Sequence, residues 1–80
     1  MERYSPGAVW SILMDGSDDP DEVIDVQVGL GRLPIEEQTF LKLLQQGQTV
    51  SYAMQELGLK GNQTRIKRQV VQHLTDIING

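Results

Sequence analysis

Apolar residues recur with helical spacing along the second half of the chain, in two consecutive segments. The first segment carries Val50, Ala53, Met54 and Leu57. Because these residues lie three and four positions apart, they fall on one side of an α-helix. Thr49 precedes them and suits an N-terminal cap, and Gly58 follows them where a left-handed C-terminal cap is common. The pattern predicts a helix over about residues 50–57.

The second segment follows the polar turn Lys60-Gly61-Asn62 and predicts a longer helix over about residues 63–78. One face of this helix would carry Ile66, Val70, Leu74 and Ile77. The opposite face would carry Arg65, Arg68, Gln69 and Gln72. A short helix, a turn that contains glycine and a longer helix with a polar outer face form the layout of a helix-turn-helix.

Three shorter helices are predicted before this pair. Ser5-Pro6 has the composition of a helix start, and the polar stretch Asp15–Pro20 has the composition of a turn. A second helix is expected over about residues 20–31, and Pro34 would begin a third. We expect the third helix to pack across the helix-turn-helix pair, and residues 1–4 to be frayed.

The segment predicted to form the second helix of the chain, over about residues 20–31, has two possible secondary structures. Its residues Ile24, Val26, Val28 and Leu30 alternate with polar or small residues, as in a β-strand, so residues 22–31 remain open between helix and strand. The acidic residues around Pro20 favour a helix, because negative charge is stabilising at a helix N-terminus. In that helix Ile24 and Val28 form a second apolar stripe, so we expect both sides to be covered.

These elements together predict an all-α fold, a small bundle of four to five short helices that contains a helix-turn-helix. Eighty residues suffice for one domain with one core. We divide it into acidic N-terminal helices over residues 1–33 and a tri-helical helix-turn-helix core over residues 34–80. Trp10 is predicted to form a lid on the core.

Charge is unevenly distributed along the chain. The net charge is −4, which argues against nucleic-acid binding, since such domains are usually basic. However, Gly58–Gly80 holds Lys60, Arg65, Lys67 and Arg68 against Asp76 alone, while the other residues hold ten acidic and three basic side chains. The basic side chains are therefore concentrated on the predicted recognition helix and the turn before it.

The residue types on that helix suit double-stranded DNA. We expect Lys60, Thr64 and Lys67 to contact phosphates. We expect Asn62, Arg65, Arg68, Gln69 and Gln72 to face base edges, because arginine pairs with guanine and amides pair with adenine. One short helix contacts few base pairs, so useful affinity is expected to need a homodimer or a tether to RNA polymerase.

From Asp25 onward, the pattern resembles region four of bacterial sigma factors. The residues that follow its order are Leu30, Leu33, Pro34, Gln38, Leu41, Leu44, Gly47, Leu57 and Gly58. The resemblance implies a helix-turn-helix that binds promoter DNA, with Arg65, Arg68, Gln69 and Gln72 near its base- and phosphate-contacting positions. The turn between Gly58 and Ile66 is about two residues longer than the module usually has. This longer turn would shift the register of those positions by a residue or two. The regions with which a complete sigma factor binds core polymerase and melts the promoter do not precede the module, so we expect a stand-alone relative, such as a small phage or plasmid regulator.

Two other interpretations compete with DNA binding. The polar face of the last helix could be merely solvated. Alternatively, the chain could be a protein-interaction module that binds transcription machinery through its acidic face. That face would be formed by Asp18, Asp19, Asp21 and Glu22, with Asp15 and Asp25 nearby. The same acidic run could also be only a solvated turn that caps a helix.

An enzyme is the least favoured class. No Ser-His-Asp set or phosphate-binding glycine loop occurs, and Gly29-x-Gly31 lacks the third glycine of a dinucleotide motif. There is no cysteine, and the single His73 has no partner at metal-ligand spacing, so we expect no cofactor and no metal, and His73 at or near the surface. No signal peptide or membrane span is predicted. We expect a cytoplasmic protein.

Overall fold

The computed structural model describes residues 3–80 and contains five helices and no strand in that range. The helices are α1 (Pro6–Asp15), α2 (Pro20–Arg32), α3 (Ile35–Gln45), α4 (Val50–Leu57) and α5 (Gln63–Asn79). The predicted all-α fold is confirmed. Residues 22–31, which the sequence left between helix and strand, lie within α2.

Local capping explains where four of the five described helices begin, whereas α3 follows Pro34 without a side-chain cap. The side chains of Ser5, Asp19, Thr49 and Asn62 each accept a hydrogen bond from a backbone N–H in the first turn of the following helix. Pro6 and Pro20 then occupy the first helical positions, where the missing N–H of proline costs nothing. The helix starts are therefore encoded by residues next to them.

Gly58 ends α4 in the left-handed conformation, with φ 67° and ψ 22°. Its N–H donates to the carbonyl of Gln55 at 3.2 Å, and the Leu59 N–H donates to the carbonyl of Met54 at 2.8 Å. This pair of hydrogen bonds is the Schellman motif. The C-terminal cap predicted at Gly58 is confirmed.

A single hydrophobic core joins all five helices. Its buried members are Val9, Leu13, Val26, Leu30, Leu33, Phe40, Leu41, Leu44, Ala53, Met54, Val70, Val71 and Leu74. Helix α5 packs mainly against α2 and α1, whereas α3 packs mainly against α4. The third helix, expected to pack across the helix-turn-helix pair, therefore packs mainly against the short helix of that pair and reaches α5 through the contact between Glu37 and His73. Helices α1 and α2 share one core with α5.

Gly29 allows the close approach of α2 and α5. A Cβ atom at this position would lie 2.7 Å from Ile78 Cγ1 and 3.0 Å from Leu74 Cδ1. On another side of α2, Ile24 and Val28 are 57% and 52% exposed. The expectation that both apolar stripes of α2 are covered is wrong, because within this chain the neighbouring helices cover only the stripe that contains Val26 and Leu30.

The start of the described chain is tied to its end. The Tyr4 N–H donates to Asn79 Oδ1 at 2.9 Å, and Asn79 Nδ2 donates to the Tyr4 carbonyl at 2.9 Å. The Tyr4 hydroxyl donates to Asp25 Oδ2 at 2.9 Å. Tyr4 is thus held in place although the sequence predicted fraying over residues 1–4. Residues 1 and 2 of that range lie outside the described residues.

Candidate nucleic-acid interface

Four polar side chains form a row along the outer face of α5. Arg65, Arg68, Gln69 and Gln72 are all exposed and line one shallow groove. The opposite face of the helix carries Val70, Val71 and Leu74, which are buried in the core. Because the buried face fixes the rotation of α5, the row faces solvent. We call these four residues the outer row.

The two arginines of the outer row are not engaged in ion pairs within residues 3–80, where the single ion pair joins Glu37 and His73. Each guanidinium presents five N–H donors in a planar fork, which suits carboxylate, phosphate or guanine acceptors. Arg68 also borders a second groove, on the side of α5 that faces α1. Arg68 therefore stands on a ridge with access to both grooves.

The C-terminal end of the outer row is less favourable to nucleic acid. Gln72 Nε2 donates to Asp76 Oδ1 at 2.9 Å, which uses one of its two N–H donors and leaves the second N–H and the amide oxygen for other partners. The Asp76 carboxylate lines the same groove and would repel phosphate. The usable part of α5 therefore ends near Gln72.

Asn62 has a structural role that limits base contact. Its Oδ1 accepts a hydrogen bond from the Arg65 N–H at 3.1 Å and so caps α5. A bidentate contact with adenine needs both the oxygen and the nitrogen of the amide. The capping bond uses one of the two lone pairs of that oxygen, so the base contact expected of Asn62 stays a prediction and would have to be made alongside the cap.

Lys67 does not lie in the outer row. It is half-buried, and its Nζ lies 4.0 Å from the centre of the Trp10 ring, a cation–π distance. The sequence contained a signal for this position. Lys67 precedes Val71 by four residues and Leu74 by seven, so it falls on the apolar face. Lys67 therefore packs against α1 in this structure, and the phosphate contact expected of it stays a prediction.

Thr64 lies on the same side of α5 as Lys67. It is exposed and lines the second groove together with Lys67, Arg68 and Trp10. Trp10 itself is partly buried against the core, which agrees with the predicted lid. Thr64 can still reach a phosphate, but from the flank of α5 rather than from the outer row.

Lys60 lies on the other flank of α5, near acidic residues. It is exposed in the turn before α5 and lines a groove that also contains Glu36 and Glu37 from the first turn of α3. His73 Nδ1 lies 2.7 Å from Glu37 Oε2, and its side chain is 46% exposed. The surface position of His73 agrees with the sequence, but its contact with α3 was not predicted, because 36 residues separate the pair.

Two of the four predicted protein-interaction residues have local structural roles. Asp19 Oδ1 accepts a hydrogen bond from the Asp21 N–H at 2.9 Å and caps α2. Glu22 Oε1 accepts from Ser17 Oγ at 2.9 Å. Asp18 and Asp21 are exposed. These contacts favour the interpretation of the acidic run as a helix-capping turn.

Residues 3–80 contain no group of three or more His, Cys, Asp or Glu side chains placed to hold a metal ion. None of the helices described there combines the length and apolar character required to cross a membrane.

Comparison of the chain with known protein families, with curated proteins and with solved structures found no match.

Proposed function

We propose that this protein is a sequence-specific DNA-binding transcriptional regulator that uses α5 as its recognition helix. The outer row is the single observation that carries the proposal. It combines two arginines with two glutamines on one exposed helix face. Arginine donates two hydrogen bonds to guanine, and glutamine pairs with adenine through both amide atoms. A merely solvated face would not need this composition.

The arrangement of α4 and α5 supports a helix-turn-helix. Helix α4 ends at the left-handed Gly58, and α5 begins at Gln63 after a short polar turn. In such modules the N-terminal part of the second helix contacts base edges. Gln72 follows Arg65 by seven positions, or about 10 Å along the helix, which corresponds to about three base pairs. The resemblance to region four of bacterial sigma factors supports the same role.

Charge restricts how this surface can bind DNA. Glu36 and Glu37 line the same groove as Lys60, and Asp76 lies at the far end of the outer row. Lys67 is held against Trp10. About three cationic side chains therefore remain for DNA: Lys60, Arg65 and Arg68. This small number predicts weak binding by a single copy, with limited salt dependence.

The test is a pair of charge-removing variants assayed on a duplex selected from a random library. Arg68→Ala should weaken specific binding by about 5- to 150-fold, which corresponds to the contribution of about 1–3 kcal/mol from a base-contacting arginine. Lys42→Ala changes the net charge equally, but Lys42 is exposed on α3 and outside the outer row, so affinity should change less than about twofold. Equal effects of the two variants, or no duplex selected, would overturn the proposal.

The alternative function is a protein-interaction module that docks on transcription machinery, such as RNA polymerase, through its acidic face. The structure gives this alternative less support, because Asp19 and Glu22 serve as a cap and a turn contact. The double variant Asp18→Asn and Asp21→Asn leaves both of those side chains in place. Loss of polymerase capture by this variant, with DNA binding unchanged, would favour the docking function. Either function implies action in the cytoplasm.

A further inference from the structure

An apolar face on α2 has no partner within the described chain. Ile24 and Val28 are one helical turn apart and are 57% and 52% exposed. Gly31 continues this face, and a Cβ atom at Gly31 would meet no other atom within 4 Å. Residues spaced by four and three positions lie along one side of a helix. We call Ile24, Val28 and Gly31 the α2 face.

The other side of α2 cannot be the exposed one, because it is built into the core. Val26 and Leu30 are buried, and Gly29 lies against Leu74 and Ile78 of α5. The rotation of α2 is therefore fixed by its contacts with α5, and the α2 face points away from the core. Together the two β-branched side chains form a small apolar patch that no other part of residues 3–80 covers.

The charges around the α2 face are sorted by sign along the helix. Asp21 and Asp25 lie toward the N-terminal end, and Arg32 lies at the C-terminal end. At 100° per residue, all three fall within about 60° of Val28 around the helix axis. Arg32 has no ion-pair partner among residues 3–80. Arg3, which precedes α1, lines the same groove as Asp25 and Val28, but the charges on α2 itself are acidic at one end and basic at the other. A helix with this arrangement is complementary to a reversed copy of itself.

We infer that the protein forms a two-fold symmetric dimer in which α2 packs antiparallel against α2 of a second copy. Val28 lies near the symmetry axis, and the missing side chain of Gly31 makes room for Ile24 of the second copy. The symmetry places Arg32 of each copy beside Asp25 of the other, so one contact is made twice. Antiparallel packing also opposes the two helix dipoles favourably.

The size of the α2 face predicts a weak dimer. The 13 residues of α2 span about 20 Å. A contact between two helices of this length falls at the lower end of the range for specific interfaces. Association is therefore expected to need a high protein concentration. The dimer does not depend on DNA, but it would present two copies of α5 to one duplex.

The first test is sedimentation of the full chain without DNA. The average mass should rise from 9.0 kDa toward twice that value as protein concentration increases to about 1 mM. Val28→Glu should weaken association at least about tenfold, because it buries a charge in the contact. Tyr52→Glu is the matched control, since Tyr52 is also an exposed large apolar residue but lies on α4. It should leave association unchanged, and thermal melts establish that each variant folds.

The second test examines the antiparallel orientation by charge exchange. Arg32→Glu and Asp25→Arg should each weaken the dimer, and the double variant should restore it to within about threefold of the original. Tyr4→Phe controls for the hydrogen bond that Asp25 accepts from Tyr4. A chain that stays monomeric at every concentration would overturn the inference. So would a Val28→Glu variant that associates normally, or a double variant as weak as the single ones. None of these outcomes bears on DNA binding, which is measured separately.

Discussion

The ammonium group of Lys67 lies 4.0 Å from the centre of the Trp10 ring and joins α5 to α1. Lys67 and Arg68 are neighbours in the sequence, and both were predicted to contact DNA. The contact with Trp10 gives the two side chains different positions. Arg68 remains exposed on the outer row, whereas Lys67 is half-buried on the flank facing α1. Stability and DNA affinity should therefore depend on different members of this pair.

Lys67→Met tests that separation. Methionine keeps an unbranched apolar stem but removes the charge, so the variant should lose about 0.5–1 kcal/mol of unfolding free energy from the cation–π contact. Its DNA affinity should change less than that of Arg68→Ala. Urea denaturation followed by circular dichroism measures the first quantity. If Lys67→Met reduced DNA affinity as much as Arg68→Ala, Lys67 would belong to the interface after all.

Two glycines of α2 should respond oppositely to the same substitution. Gly31→Ala adds a methyl group in open space and should stabilise the helix by about 0.5–1 kcal/mol. Gly29→Ala places that methyl group 2.7 Å from Ile78 Cγ1, so overpacking should cost about 1–3 kcal/mol of unfolding free energy. The gain in helix propensity offsets part of this loss. Urea midpoints at low protein concentration compare the two variants. A Gly29→Ala variant as stable as Gly31→Ala would mean that α2 and α5 are farther apart at Gly29 than the structure shows.

The helix end at Gly58 offers a prediction based on backbone conformation alone. A Cβ atom at this position would meet nothing within 4 Å, so the only cost of Gly58→Ala is the left-handed conformation, about 1–2 kcal/mol. Gly58→Asn should lose less, because asparagine tolerates this conformation better than alanine. Thermal unfolding measures both losses. Equal stability of all three proteins would place the end of α4 elsewhere.

Tyr4 should make stability depend on pH in the alkaline range. Burial, together with the hydrogen bond to Asp25, raises the pKa of Tyr4 from 10.0 to about 12. Its contribution is complete below about pH 10. Between about pH 10 and 12 the unfolded chain releases a proton that the folded chain keeps, so the free energy of unfolding falls as pH rises. Urea midpoints measured from about pH 9 to 11 should therefore fall less in Tyr4→Phe than in the original protein.

The matched control for that measurement is Tyr52→Phe. Tyr52 is exposed on α4 and far in sequence from the Asp25 contact, so its removal should leave the pH dependence caused by Tyr4 in place. Identical alkaline profiles for the original protein and Tyr4→Phe would show that the Tyr4 hydroxyl is not held by Asp25.

Local sequence signals predicted the helix ends but not all of the packing. The caps at Thr49 and Gly58 act within a few residues, so the sequence is enough to recognise them. The exposure of Ile24 and Val28 was not predictable in the same way. Which apolar stripe of a helix is buried depends on how many other helices reach it, and that is a property of the whole fold.

The candidate site shows the same division. The outward direction of Arg65 and Gln72 follows from the helical period of α5 alone. The position of Lys67 was also present in that period, but its contact with Trp10 joins residues 57 positions apart in the chain. The pairing of Glu37 with His73 likewise depends on how α3 meets α5, which no local pattern contains.

The most direct test of the central claim, that the outer face of α5 binds duplex DNA, is the salt dependence of binding for three proteins. A cationic side chain that enters the groove displaces counterions from the phosphates even where it contacts a base, so Lys60, Arg65 and Arg68 are all counted. Log Ka against log salt should then have a slope of about −2.7, since each contributes about −0.9. Arg68→Ala should reduce the slope to about −1.8, and Lys67→Met should leave it near −2.7. Binding that is absent at low salt, or a slope that Arg68→Ala leaves unchanged while Lys67→Met lowers it, would contradict the claim.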